Sequence, residues 1–108
     1  MGKIVIKNEA GKSYELAFNR SAIVRMEKAG FKAENIEKEP LSTVVLLMRG
    51  AFYKNYPQLA DEEIDAICDE IEMDEAFIKA VMELYAEAVL SLNGQNKNTS
   101  KNFKWEKN

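Results

Sequence analysis

Two short segments near the N-terminus have strand patterning. In Ser13-Tyr14-Glu15-Leu16-Ala17-Phe18 the apolar Tyr14, Leu16 and Phe18 alternate with Ser13, Glu15 and Ala17, so one face is apolar and needs covering. Lys3-Ile4-Val5-Ile6-Lys7 is β-branched and apolar, and the intervening Asn8-Glu9-Ala10-Gly11-Lys12 has turn composition with a glycine for positive φ. Together they predict a β-hairpin.

From Asn19 onward the period changes to that of helices. Asn19 is placed as an N-cap, with Phe18 just outside and Ile23 four positions inside, the spacing of a hydrophobic staple. Ile23, Met26 and Ala29 share one side, and Gly30 is placed to close this first helix in a left-handed cap. Phe31 to Pro40 reads as an irregular charged connection anchored by Phe31 and Ile36. Leu41 to about Tyr56 predicts a central helix, with Leu41, Val44, Val45, Met48, Ala51 and Phe52 in helical register and Leu46 and Leu47 widening its apolar surface. Gly50 inside it implies close approach of another backbone, and Pro57 ends the segment.

A third helix starts near Asp61, with Ile64, Ile67, Cys68 and Ile71 at i, i+3, i+4 and i+7. Met73 and Ile78 bracket Asp74 as a second staple and cap, opening a fourth helix whose stripe runs from Phe77 to Leu92 before Gly94 stops it. The expected architecture is α+β: an N-terminal β-hairpin followed by a mainly helical bundle of about four helices. It occupies residues 1–94 as a single domain, with residues 95–108 as a flexible basic tail.

Composition narrows the chemistry. The chain of 108 residues is long enough for one core without staples, and with 46% hydrophobic and 31% charged residues it has the balance of a folded soluble protein. No apolar run reaches the length that spans a bilayer and no signal-peptide layout opens the chain, so no membrane partner and a cytoplasmic location are expected. A lone cysteine, Cys68, fits a reducing compartment and a place in the core. With no histidine, the commonest general base and the usual partner of a Ser or Cys nucleophile are missing, as are zinc sites built on Cys and His. The five glycines are scattered and form no phosphate loop. The expectation is a protein that is not an enzyme and that needs no cofactor or metal, acting on a protein partner.

Two features are candidate binding residues. The stretch from Asp61 to Glu75 holds nine carboxylates and no base, with Asp61, Glu62, Glu63 and Asp65 in its first turns. It reads first as a solvated acidic face favourable to two helix N-termini, and second as a docking surface for a basic partner. In the tail, Phe103 and Trp105 stand two apart, on one side of an extended strand. Either they fold back onto the domain, or they form a linear motif that enters a partner's groove or adds a strand to an open sheet edge. Residues 1–94 carry 11 Lys and Arg against 17 Asp and Glu, whereas residues 95–108 carry four Lys against one Glu. This acidic body makes nucleic acid an unfavoured partner, leaving only Lys97, Lys101, Lys104 and Lys107 for a minor reading as a small regulator that binds it.

The hairpin with Tyr14-Glu15-Leu16-Ala17-Phe18, the helix Arg20 to Glu27 closing at Gly30, Leu47-Met48-Arg49-Gly50-Ala51-Phe52, Pro57 and the acidic start Asp61-Glu62-Glu63 form a layout spread over residues 3 to 92. That layout resembles the tail assembly chaperones of phage and prophage tail operons in Gram-positive bacteria. The resemblance implies a non-enzymatic factor that binds tape-measure and tail-tube proteins, with self-association to a homo-oligomer as a further expectation. A structural tail or connector subunit is the alternative it leaves open.

Overall fold

The computed structural model describes residues 3–99. It has the α+β architecture expected: a two-stranded antiparallel hairpin, then four α-helices. Strands β1 (Ile4–Lys7) and β2 (Ser13–Leu16) pair with Ile4 opposite Leu16 and Ile6 opposite Tyr14. Gly11, at φ +89°, makes the turn: its N–H donates to Asn8 O at 2.9 Å, and the Asn8 side chain accepts from Lys12 N–H at 2.9 Å.

Strand β2 ends at Leu16, two residues before the expected Phe18. The reason is a competing acceptor. The Ala17 N–H donates to Ala51 O at 3.0 Å, one of the four last carbonyls of α2 that lack a partner within their own helix. Phe18 nevertheless stays buried, like Tyr14 and Leu16.

Helix α1 (Arg20–Lys28) begins as its sequence dictates, with the Asn19 side chain accepting from Ala22 N–H at 2.8 Å. At its other end Gly30 stands at φ +103°, and the N–H groups of Gly30 and Phe31 donate to Glu27 O and Met26 O, both at 3.0 Å. This is the paired closure of a Schellman motif, with Phe31 and Met26 both buried over it. A 3-10 turn at Ala33–Ile36 leads to α2 (Pro40–Tyr53), in which Pro40 occupies the first turn where its missing N–H costs nothing.

Helix α2 stops at Tyr53 rather than near Tyr56. Tyr56 and Asn55 are drawn instead to the outer edge of β2, where Tyr56 Oη accepts from Glu15 N–H at 2.9 Å and Asn55 Nδ2 donates to Glu15 O at 3.1 Å. These bonds close that edge of the hairpin to a further strand. The close approach at Gly50 also differs from expectation, because the group against it is the side chain of Met26 in α1, not another backbone.

Helix α3 covers Asp61–Asp69 and α4 covers Glu75–Thr99. Asp74 caps α4, its carboxylate accepting from Phe77 N–H at 2.8 Å. The expected stop at Gly94 is overturned: α4 continues through it to Thr99. Gly30 and Gly94 differ in the residue next in the chain. Phe31 supplies a buried apolar contact that locks the first closure, while the residue after Gly94 is the polar Gln95, and an unassisted glycine costs a helix only about 1 kcal/mol.

The core draws on every main layer, with Leu16, Met26, Leu47, Phe52, Ile64 and Val81 almost fully buried. Aromatic rings tie the elements together: Tyr14 packs on Phe52 and Tyr56, and Tyr85 of α4 meets Phe18 and Phe31 edge-on.

Candidate protein-binding groove

Six of the eight residues from Leu41 to Met48 are apolar, more than one buried helix face accommodates. Leu47 and Met48 enter the core, while Leu41, in the first turn of α2, and Val45 stay uncovered at 84% and 41% exposure. Helix α3 lies beside α2, and the stretch joining α3 to α4 brings in Ile71 and Met73. The result is an open groove of about 620 Å³ walled by Leu41, Val44, Val45, Cys68, Met73 and Ile78. The staple pair that opens α4, Met73 and Ile78, therefore does double duty as groove wall.

Electrostatics at the α2–α3 junction are set by five side chains. The Arg49 guanidinium donates twice to Asp65, Nε to Oδ1 at 3.0 Å and Nη2 to Oδ2 at 2.7 Å, a bidentate pair joining the two helices. Tyr53 Oη donates to Asp61 at 2.9 Å, and Arg25 of α1 reaches Asp61 at 3.6 Å while lying 3.7 Å over the Tyr53 ring. The Arg49 hydrogen bond holds the Asp65 carboxyl below the usual aspartate range, and Asp65 in turn raises Arg49. Burial, aided by the Asp61 hydrogen bond, raises the Tyr53 phenol.

The acidic candidates thus separate. Asp61 and Asp65 are held by internal partners, and Glu63 bends back to accept from Ala60 N–H at 2.8 Å, capping a helix whose own cap residue has no side-chain acceptor. Glu62 stands exposed at the start of α3, away from the groove lining. Asp69, part of the same acidic stretch, is exposed on the groove's edge beside Asp65. Phe103 and Trp105 lie outside the described residues.

Cys68 is not a core residue but a half-buried one in the groove wall. Burial first, then the charges of Asp65 and Asp69, push its thiol up to about 12, which leaves it a neutral, weakly nucleophilic group at physiological pH. Among the described residues no cluster of three or more Cys, Asp or Glu is arranged to hold a metal ion, and no helix is long and apolar enough to cross a membrane.

A protein-family model described as "Domain of unknown function (DUF5055)" matches residues 1–108, the full sequence. The chain belongs to the DUF5055 family. No curated protein and no solved structure matches it.

The groove-lining residues of this DUF5055 chain are only partly legible in its sequence. Helical spacing assigns Leu41 and Val45 to the buried stripe of α2, and the signal that they line a surface is the excess of apolar residues at Leu46 and Leu47. The contribution of Ile71 and Met73 has no local signal, since it depends on where α3 lies against α2.

Proposed function

We propose that this domain is a non-enzymatic binding protein that receives an apolar, basic-flanked segment of a helical client, acting in a bacterial cytoplasm as a tail assembly chaperone for tape-measure or tail-tube proteins. The α2–α3 groove carries this reading. Contiguous exposed apolar surface is uncommon on a monomer and marks a place where another surface docks. A trough between two helices suits the apolar stripe of a third, with Leu41 and Val45 on one wall and Met73 and Ile78 on the other. Asp69 on the edge favours a client with Lys or Arg beside its apolar stripe. The neutral thiol of Cys68 serves such a groove as soft apolar lining.

Co-expression with a tape-measure protein from a tail operon of the same genome tests the proposal. The native chain should co-purify with the client and keep it soluble, and a Leu41→Asp, Val45→Asp variant should lose the client while melting like the parent. A client that stays insoluble with the native chain, or that binds the double variant equally well, sinks the reading.

A further inference from the structure

The α2–α3 groove is not the only apolar hollow. A second one, also about 620 Å³, lies between the β2–α1 junction and the middle of α4, bordered by Phe18, Lys54, Leu84, Glu87 and Leu90. Leu90 is 68% exposed there. We propose that this hollow is the seat of the chain's own C-terminal segment, with Phe103 and Trp105 folding back along α4 to fill it in cis.

Reach singles out this hollow. Leu90 lies nine residues before Thr99, about 13.5 Å back along the helix axis at 1.5 Å per residue. Phe103 comes four residues after Thr99 and Trp105 six, which an extended chain covers in about 13 Å and 20 Å. The chain must first reverse, and with about two residues in the turn the remaining four bring Trp105 back to the level of Leu90, with Phe103 between it and the helix end. The α4 wall of the other groove is Ile78, which is 21 residues and about 32 Å back from Thr99, beyond the reach of either ring.

Chemistry agrees with the reach. In an extended segment the two rings share one side, about 7 Å apart, so Trp105 enters the hollow at Leu90 while Phe103 lies on the same side toward the end of the helix. Lys104 and Glu106 alternate with the rings, so a segment whose rings face the hollow turns both charges toward water. Trp105 then leaves water and covers Leu90.

Trp105 is the only tryptophan in the chain, so the segment reports on itself. In the isolated full-length chain, Trp105 emission should be shifted to shorter wavelength than in the urea-unfolded chain and be protected from acrylamide, and both should be independent of protein concentration. Leu90→Asp in the hollow and, separately, Phe103→Ser in the segment should move the emission to longer wavelength with unchanged far-UV circular dichroism. Leu41→Asp in the α2–α3 groove should leave it unmoved. Emission already like that of the unfolded chain overturns the proposal, as does a shift that Leu90→Asp does not affect or that Leu41→Asp abolishes. Protection lost on dilution overturns it in favour of a second copy as the occupant. None of these readings involves a client, so they stand or fall apart from the co-expression result.

Discussion

Gly50→Ala sets two effects of opposite sign against each other at one atom. In a helix interior the replacement gains about 1 kcal/mol from backbone entropy and propensity. At position 50, however, the new Cβ would come to 2.9 Å from Cε of Met26 and closer still to its Sδ and Cγ. The position of Cγ depends on χ1 alone, so bending the far end of the methionine does not relieve the clash. Met26 must change rotamer within α1, where few χ1 wells are open, or α1 must move away from α2. Met26 is 1% exposed, which leaves it no solvent to swing into. Overpacking of this kind costs about 1–3 kcal/mol, so the net expectation is destabilisation of about 1 kcal/mol, a fall in melting temperature of about 4–8 °C. Urea and thermal unfolding monitored by circular dichroism measure it. The same change on a Met26→Ala background should reverse sign and stabilise by about 1 kcal/mol, because the space is then empty. If Gly50→Ala stabilises the parent chain, the contact between α1 and α2 is loose and the reasoning fails.

Arg49→Met should cost about 1 kcal/mol at neutral pH, discounted for the partial exposure of both partners in its pair with Asp65. Because the folded state depresses the Asp65 pKa, that contribution is present above the ordinary aspartate value of 3.8 and is lost as pH falls through the lower folded value. The gap in urea midpoint between parent and variant should therefore narrow from pH 7 toward strong acid, and a gap of constant size would contradict the role given to this pair. Cys68, with its thiol pushed up to about 12 from an ordinary 9.0, should carry a thiolate fraction about a thousandfold below that of a free cysteine. Iodoacetamide labelling of the native chain at neutral pH should be correspondingly slow and should accelerate on unfolding. Labelling at the rate of a free thiol would remove Cys68 from its assigned surroundings.

The sequence by itself determined everything that depends on neighbours a few positions apart. The Asn19 cap, the Gly30 closure sealed by Phe31 and Met26, the turn at Gly11 and the Asp74 cap all arise from residue types at fixed short offsets. The order of hairpin and helices, and most of the core, come from periodicity. Where local rules erred, a partner distant in the chain had intervened or a local one was lacking. Ala51 and Glu15 redirected the end of β2 and the end of α2, whereas Gly94 failed as a stop because the polar Gln95 beside it is no counterpart to Phe31.

Only the tertiary structure decided which apolar residues stay uncovered. Periodicity shows that α2 has more apolar surface than one face, but the share that α1, α3 and α4 cover depends on how those helices lie against it. The same holds for the carboxylates. Asp61 and Asp65 become internal partners because packing brings Arg49, Tyr53 and Arg25 alongside them, contacts that no local rule supplies. Local chemistry sets the form of each element. The groove exists because the packing that buries one side of α2 leaves another without enough chain to cover it.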